Sequence, residues 1–171
     1  TLHPSQRAYR TIPGWTPAAI QRMGADGVKL LLYYHPEAPD AARQREAVER
    51  AVEDCAAAAI PLFLEPITFS PDPSRKLPPA ELTDVVVSSA RLFSALGIDV
   101  LKSEFPVDVQ EQPDEAVWQA AIRRLDDACT VPWALLSAGA PWETFVRQTA
   151  VACAGGASGV IAGRAVWAEA V

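Results

Sequence analysis

Apolar residues along this chain follow two different periods. Short runs rich in β-branched residues or leucine recur around Val28–Tyr34, Leu62–Pro66, Val100–Phe105, Trp133–Ser137 and Gly159–Gly163, and each predicts a β-strand. Between the runs the spacing becomes helical. Over 40–59, Val48, Ala51, Val52, Cys55, Ala58 and Ala59 share one face while Glu46, Glu49, Arg50 and Glu53 lie off it, so one side packs and the other meets water. Further helices are expected over about 79–96, opening with Pro79 and closing at Gly97, over about 114–128, and from Pro141 to Gly155, with the proline-first, glycine-last asymmetry of helices. The pattern from Gly163 to Val171 starts another.

The strands are nearly continuous apolar runs, as expected for a parallel sheet covered on both faces. Strand starts near 28, 62, 100, 133 and 159 leave one strand–helix unit between each pair. A weak internal echo supports repetition: Gly24-Ala-Asp-Gly-Val28, Gly97-Ile-Asp-Val100 and Gly156-Ala-Ser-Gly-Val160 each end a helix on glycine and enter a strand after a short turn. A complete (β/α)8 barrel needs about 250 residues. Five strands in 171 residues therefore read as a partial TIM barrel, with residues 1–171 its C-terminal part and about three strands missing before Thr1. The competing architecture is an open doubly wound sheet, which five parallel strands also satisfy.

Composition narrows the class. The chain is 50% hydrophobic and 21% charged, which suits one globular core and excludes a disordered or fibrous chain. No apolar run approaches the roughly 18 residues of a membrane span, and no signal segment opens the chain, so a cytoplasmic protein without membrane contact is expected. The net charge of −6 disfavours nucleic acid, although residues 1–25 carry Arg7, Arg10 and Arg22 and no acid. Cys55, Cys129 and Cys153 lie far apart without metal-ligand spacing and read as buried thiols. With only His3 and His35, a histidine-ligated metal has little to bind it. Trp15, Trp142 and Trp167 are expected in the core. The chain opens on Thr1 and stops at Val171 inside a helical pattern, as a piece of a longer chain would.

Strand alternation groups the polar residues. Lys29 shares a face with Leu31 and Tyr33, Glu65 with Phe63, Lys102 with Val100 and Glu104, and Ser137 with Leu135 and Trp133. If those faces point inward, the charges converge. All but Lys29 lie toward the C-terminal ends of their strands, where barrel active sites are built. A lysine in an apolar strand is costly to bury as a cation, and the neutral amine is a nucleophile toward carbonyls that forms a Schiff base. Carboxylates are then needed to move protons. Taken singly, each residue has an ordinary reading. Lys102 could snorkel, Lys29 could be an ion-pair partner for Glu65 or Glu104, Ser137 could belong to a turn, and Arg164 could simply open a helix or bind phosphate there.

Five segments in order carry a resemblance: Gly24-Ala-Asp-Gly-Val-Lys-Leu-Leu-Leu-Tyr-Tyr34, Pro61-Leu-Phe-Leu-Glu-Pro-Ile-Thr68, Ile98-Asp-Val-Leu-Lys-Ser-Glu-Phe-Pro106, Leu136-Ser-Ala-Gly139 and Gly159-Val-Ile-Ala-Gly-Arg-Ala-Val-Trp167. Together they resemble the tagatose-bisphosphate aldolase family of class I aldolases, and also the related sulfofructose phosphate aldolases. The resemblance implies a (β/α)8 barrel of which these are the fourth to eighth strands. It implies that Lys102 forms the Schiff base and that Lys29 and Glu65 assist proton transfer; Glu104, on the same face as Lys102, is read as a further acid behind them. Ser137, Gly139, Gly163 and Arg164 match positions that hold a substrate phosphate. The implied substrate is a phosphorylated ketohexose, tagatose 1,6-bisphosphate first, with no cofactor and no metal. The expected partners are the phosphorylated sugar and either the complementary part of the barrel, in a longer chain or an associated fragment, or further copies in a homo-oligomer. A non-catalytic sugar-phosphate binding module would keep the same phosphate residues.

Overall fold

The computed structural model describes residues 10–167. Five strands alternate with helices: β1 (Val28–Tyr34), β2 (Leu62–Thr68), β3 (Val100–Ser103), β4 (Trp133–Leu136) and β5 (Gly159–Ile161), with α1 (Pro17–Arg22), α2 (Ala41–Ala57), α3 (Pro79–Ser94), α4 (Glu115–Ala128), α5 (Trp142–Ala154) and α6 (Arg164–Trp167). The sequence reading anticipated all of these except α1. Its signal was present, since the Thr16 hydroxyl accepts the Ala19 N–H at 3.2 Å and Pro17 occupies the first turn. The helical pattern after Trp167, together with His3 and Arg7, lies outside the described residues.

Every strand pair is parallel, and the sheet runs in the order β1-β2-β3-β4-β5. A doubly wound sheet reverses its strand order at a switch point. No reversal occurs here, so the sheet winds steadily as a barrel wall does, and the chain is α/β with five units of a (β/α)8 barrel.

Among the described residues, helices α2 to α5 cover one face of the sheet. Leu32, Tyr34, Leu62, Leu64, Leu101, Trp133 and Leu135 are buried against Val48 of α2, Phe93 of α3, Ile122 of α4 and Ala152 of α5. Tyr34 meets Phe93 edge to face, with ring centroids 4.7 Å apart, a geometry that adds to the area buried. Trp133 donates to Asp126 Oδ1 at 2.8 Å, which joins β4 to α4 and satisfies a buried indole N–H. On the opposite, inner face β1 presents Lys29, Leu31 and Tyr33, while Leu32 and Tyr34 behind them are buried. The expectation of two covered faces fails at β1, because among the described residues no strand borders its outer edge. Leu31 and Tyr33 are exposed.

Two further expectations are corrected. Trp15, Trp142 and Trp167 are 46%, 49% and 50% exposed, because they sit at helix ends and on the open side rather than on the helix faces that meet the sheet. The buried tryptophans are Trp118 and Trp133. Of the cysteines, Cys55 is buried, Cys129 is half-buried at the end of α4, and Cys153 is exposed on α5.

Candidate active site

Strand alternation and parallel register assemble the centre of the inner face. In β1 Leu31 stands opposite Glu65, one pleat above Lys29 opposite Phe63, and Lys102 of β3 points to the same side. Lys102 Nζ donates to Glu65 Oε2 at 3.1 Å, and Lys29 Nζ pairs with the same oxygen from the other side. Glu65 therefore lies between two ammonium groups from its two neighbouring strands. Of the pairings left open for Lys29, the structure selects Glu65. The Lys102 side chain is 13% exposed and that of Lys29 is 52% exposed, so water weakens the Lys29 pair far more.

Glu104, just past β3, accepts the Thr68 N–H on Oε2 at 2.6 Å. Burial pushes its carboxyl above the ordinary value, opposed by the Thr68 amide and hydroxyl and reinforced by the negative charge of Glu65.

Beyond these groups opens a cleft of about 470 Å³, within the usual size of small-molecule sites. Glu65, Lys102, Glu104, Ser137, Gly163 and Arg164 all line it. Gly139 adjoins it through Arg164: a Cβ on Gly139 would stand 3.4 Å from the guanidinium carbon. The turn after β4 has φ of +50° at Ala138 and +73° at Gly139, and glycine takes the second value without strain. The Ser137 side chain requires a correction. Its strand partners Trp133 and Leu135 face the helices, so their common face is not the inner one; Ser137 reaches the cleft because the chain turns after Leu136. Gly163 shows no close contact of the kind that demands glycine, its added Cβ finding only Trp167 Nε1 at 3.9 Å.

Tyr33 and Trp167 also line the cleft and were not singled out from the sequence as site residues. Tyr33 was legible, since it shares the period-two face of Lys29. Trp167 was not, because a single turn of helix carries no face pattern.

Apart from Lys29, which lies near the start of β1, the polar side chains gather toward the strand C-termini of a steadily wound parallel sheet, which defines a (β/α)-barrel protein with a lysine–carboxylate centre toward the end where such barrels place their chemistry. A family model described as DeoC/LacD family aldolase matches residues 4–169, and the chain belongs to that family. It is similar to tagatose 1,6-diphosphate aldolase of Streptococcus agalactiae serotype V, with 34% identity over 92% of this chain and 54% of that protein. It is also similar to tagatose 1,6-diphosphate aldolase of Lactococcus lactis subsp. lactis, with 32% identity over 92% of this chain and 54% of that protein. The chain thus spans about half the length of the curated relatives it matches.

Among solved structures, the fructose-bisphosphate aldolase from Slackia heliotrinireducens superposes with a TM-score of 0.70 at 15% identity, over 95% of this chain and 50% of that one. A Schiff base forming fructose-1,6-bisphosphate aldolase superposes with a TM-score of 0.66 at 22% identity, over 91% and 57%. Both likenesses speak for the barrel fold. Among the described residues, no helix is long and apolar enough to cross a membrane.

Proposed function

We propose that this chain carries the nucleophile and phosphate site of a class I aldolase that cleaves a ketohexose bisphosphate, tagatose 1,6-bisphosphate first, into dihydroxyacetone phosphate and glyceraldehyde 3-phosphate. The observation that carries the reading is the Lys102–Glu65 contact of 3.1 Å on the wall of the cleft. Glu65 is within reach to take a proton from Lys102, and the freed amine attacks the ketose carbonyl to give a carbinolamine. Glu65 returns the proton to the departing hydroxyl, which leaves as water and yields the iminium. The C3–C4 bond then breaks as the C4 hydroxyl loses its proton to the carboxylate. The bond's electron pair moves into the iminium as an enamine, and the aldehyde leaves. Protonation at C3 and addition of water release dihydroxyacetone phosphate and restore the lysine.

Lys29 holds the charge of Glu65 and orients it. The Ser137 hydroxyl, the backbone N–H groups of Gly139 and Gly163, and the Arg164 guanidinium supply donors for the phosphate. The reaction as written calls for neither metal nor cofactor. In this reading the remaining barrel units, from a longer chain or a second polypeptide, border β1 and β5.

The test is borohydride trapping of the full-length natural chain with dihydroxyacetone phosphate, followed by peptide mapping, with the 171-residue chain in parallel. An adduct on Lys102 that disappears in Lys102→Ala is expected. Undiminished cleavage by Lys102→Ala would sink the mechanism, and triose phosphate binding without cleavage would favour a binding module. Faster cleavage of sulfofructose phosphate than of tagatose 1,6-bisphosphate would move the substrate assignment while leaving Lys102 in place.

A further inference from the structure

The pairing between β2 and β3 ends early. Phe63 stands opposite Val100 and Leu64 opposite Leu101, yet β2 continues to Thr68. Peptide groups along a strand point alternately to its two neighbours, and in β2 the even positions face β3. Asp99 N–H donates to Leu62 O at 3.1 Å, and Leu62 N–H donates to Asp99 Oδ2 at 2.7 Å. Pro66 lies on that same side with no N–H to give. The next even position is Thr68, and its N–H donates to Glu104 Oε2 at 2.6 Å.

Two carboxylates from the ends of β3 therefore hold the two ends of β2, Asp99 below and Glu104 above. The upper contact is short, at 2.6 Å, and it stands where the ladder has lost a rung. Between the two contacts lies Glu65, whose carboxylate meets Lys102. Beyond Leu64 the end of β2 keeps its register with β1 as far as Thr68, and toward β3 it is tied by the Lys102–Glu65 bond and by this Thr68–Glu104 contact. The charged groups around Glu104 in the cleft are Glu65, Lys102 and Arg164.

We propose that Glu104 is a positioning residue for the Lys102–Glu65 pair: by accepting the Thr68 N–H it holds the C-terminal half of β2 against β3, and with it the Glu65 carboxylate at the amine. The inference rests on the aldolase reading above and adds to it the device that sets its central distance.

The test separates reach from charge. Glutamine at this position keeps the length and a carbonyl acceptor but loses the charge; aspartate keeps the charge but is one methylene too short to reach Thr68. Wild type, Glu104→Gln and Glu104→Asp are compared in the full-length natural chain, for kcat and KM in cleavage of tagatose 1,6-bisphosphate and for the rate of borohydride-trapped adduct formation at Lys102. Glu104→Gln is expected to keep kcat within about threefold of wild type. Glu104→Asp is expected to lower kcat and the trapping rate by about tenfold to a hundredfold, the scale of a misplacement near 1 Å, with KM within about threefold. Wild-type kcat in Glu104→Asp overturns the proposal. A loss in Glu104→Gln equal to or greater than that in Glu104→Asp also overturns it, because the carboxyl would then be needed for its charge or proton.

Hydrogen exchange at the Thr68 amide reads the contact without turnover. It is expected to be slow in wild type and Glu104→Gln and at least about tenfold faster in Glu104→Asp, each factor of ten being about 1.4 kcal/mol. Unchanged protection in Glu104→Asp overturns the positioning role even if Lys102 is trapped. A wild-type chain that yields no adduct overturns the Schiff-base reading even if the Thr68 contact behaves as described.

Discussion

Lys102 reaches across from β3 to place its ammonium 3.1 Å from Glu65 Oε2, the oxygen that Lys29 also approaches from β1. One carboxylate oxygen therefore serves two cations with different access to water, which gives the two lysines different weights.

Glu65→Gln removes the charge that both lysines share, and it takes from the mostly buried Lys102 its paired carboxylate. Loss of a positioned acid–base group typically costs about a hundredfold to ten-thousandfold, and kcat for cleavage is expected to fall in that range. Lys29→Met is expected to cost less, because the Lys29 head is half in water and its pair is screened. Steady-state kinetics on both variants checks the order, and a larger loss in Lys29→Met would contradict it.

The two glycines matched to the phosphate site differ in what the structure asks of them. Gly139 has φ +73° and stands against the Arg164 guanidinium. Gly139→Ala should cost about 1–2 kcal/mol of stability through its left-handed backbone and, by straining the turn that carries the matched phosphate position, raise KM for a phosphorylated substrate. Gly163→Ala meets only an ordinary contact at 3.9 Å and should leave stability within about 0.5 kcal/mol. Urea unfolding and KM measured side by side distinguish the two positions.

Phe93 is fully buried and edge-on to Tyr34 at 4.7 Å, joining α3 to β1 behind the site. Phe93→Ala is expected to cost about 3–5 kcal/mol, from lost transfer energy plus the cavity left behind. A shift of the urea midpoint with unchanged slope would measure this.

Burial pushes the Cys55 thiol up to about 11, with the negative charges of Asp54 and Asp99 adding to the effect. An unfolded thiol ionises near 9, so between 9 and 11 the folded chain holds a proton that the unfolded chain has lost. Stability must therefore fall as pH rises through that window, by at most about 1.4 kcal/mol per pH unit for this group. Cys55→Ala should flatten part of that alkaline loss in unfolding measured from pH 8 to 11. At pH 8, exposed Cys153 should react with a thiol reagent well before Cys55 does.

Much of this architecture was legible along the chain because strand and helix periods are local. The run Val28–Tyr34 announced both its type and its two faces, and Pro79 and Gly97 bracketed α3 closely. Alternation grouped Lys29, Glu65 and Lys102 on strand faces whose charges converge if they point inward, and the contacts of both lysines with Glu65 show that these faces do meet. Ser137 shows the limit of that reasoning. Period two put it with Trp133 and Leu135, and only the turn through Ala138 and Gly139 brings it round to the cleft. The three tryptophans expected in the core failed for a similar reason, since average burial says nothing about which end of a helix a residue occupies.

The sequence by itself determined the order of elements, the side of each strand on which charge falls, and the residue types that could form an imine, because each follows from spacing and side-chain chemistry. Tertiary structure alone decided that Glu65 rather than Glu104 receives Lys29, and that Glu104 takes up the Thr68 amide beside the rung lost at Pro66. Both outcomes depend on distances between strands more than thirty residues apart in the chain, and no local pattern encodes which of two nearby carboxylates a long flexible ammonium will reach.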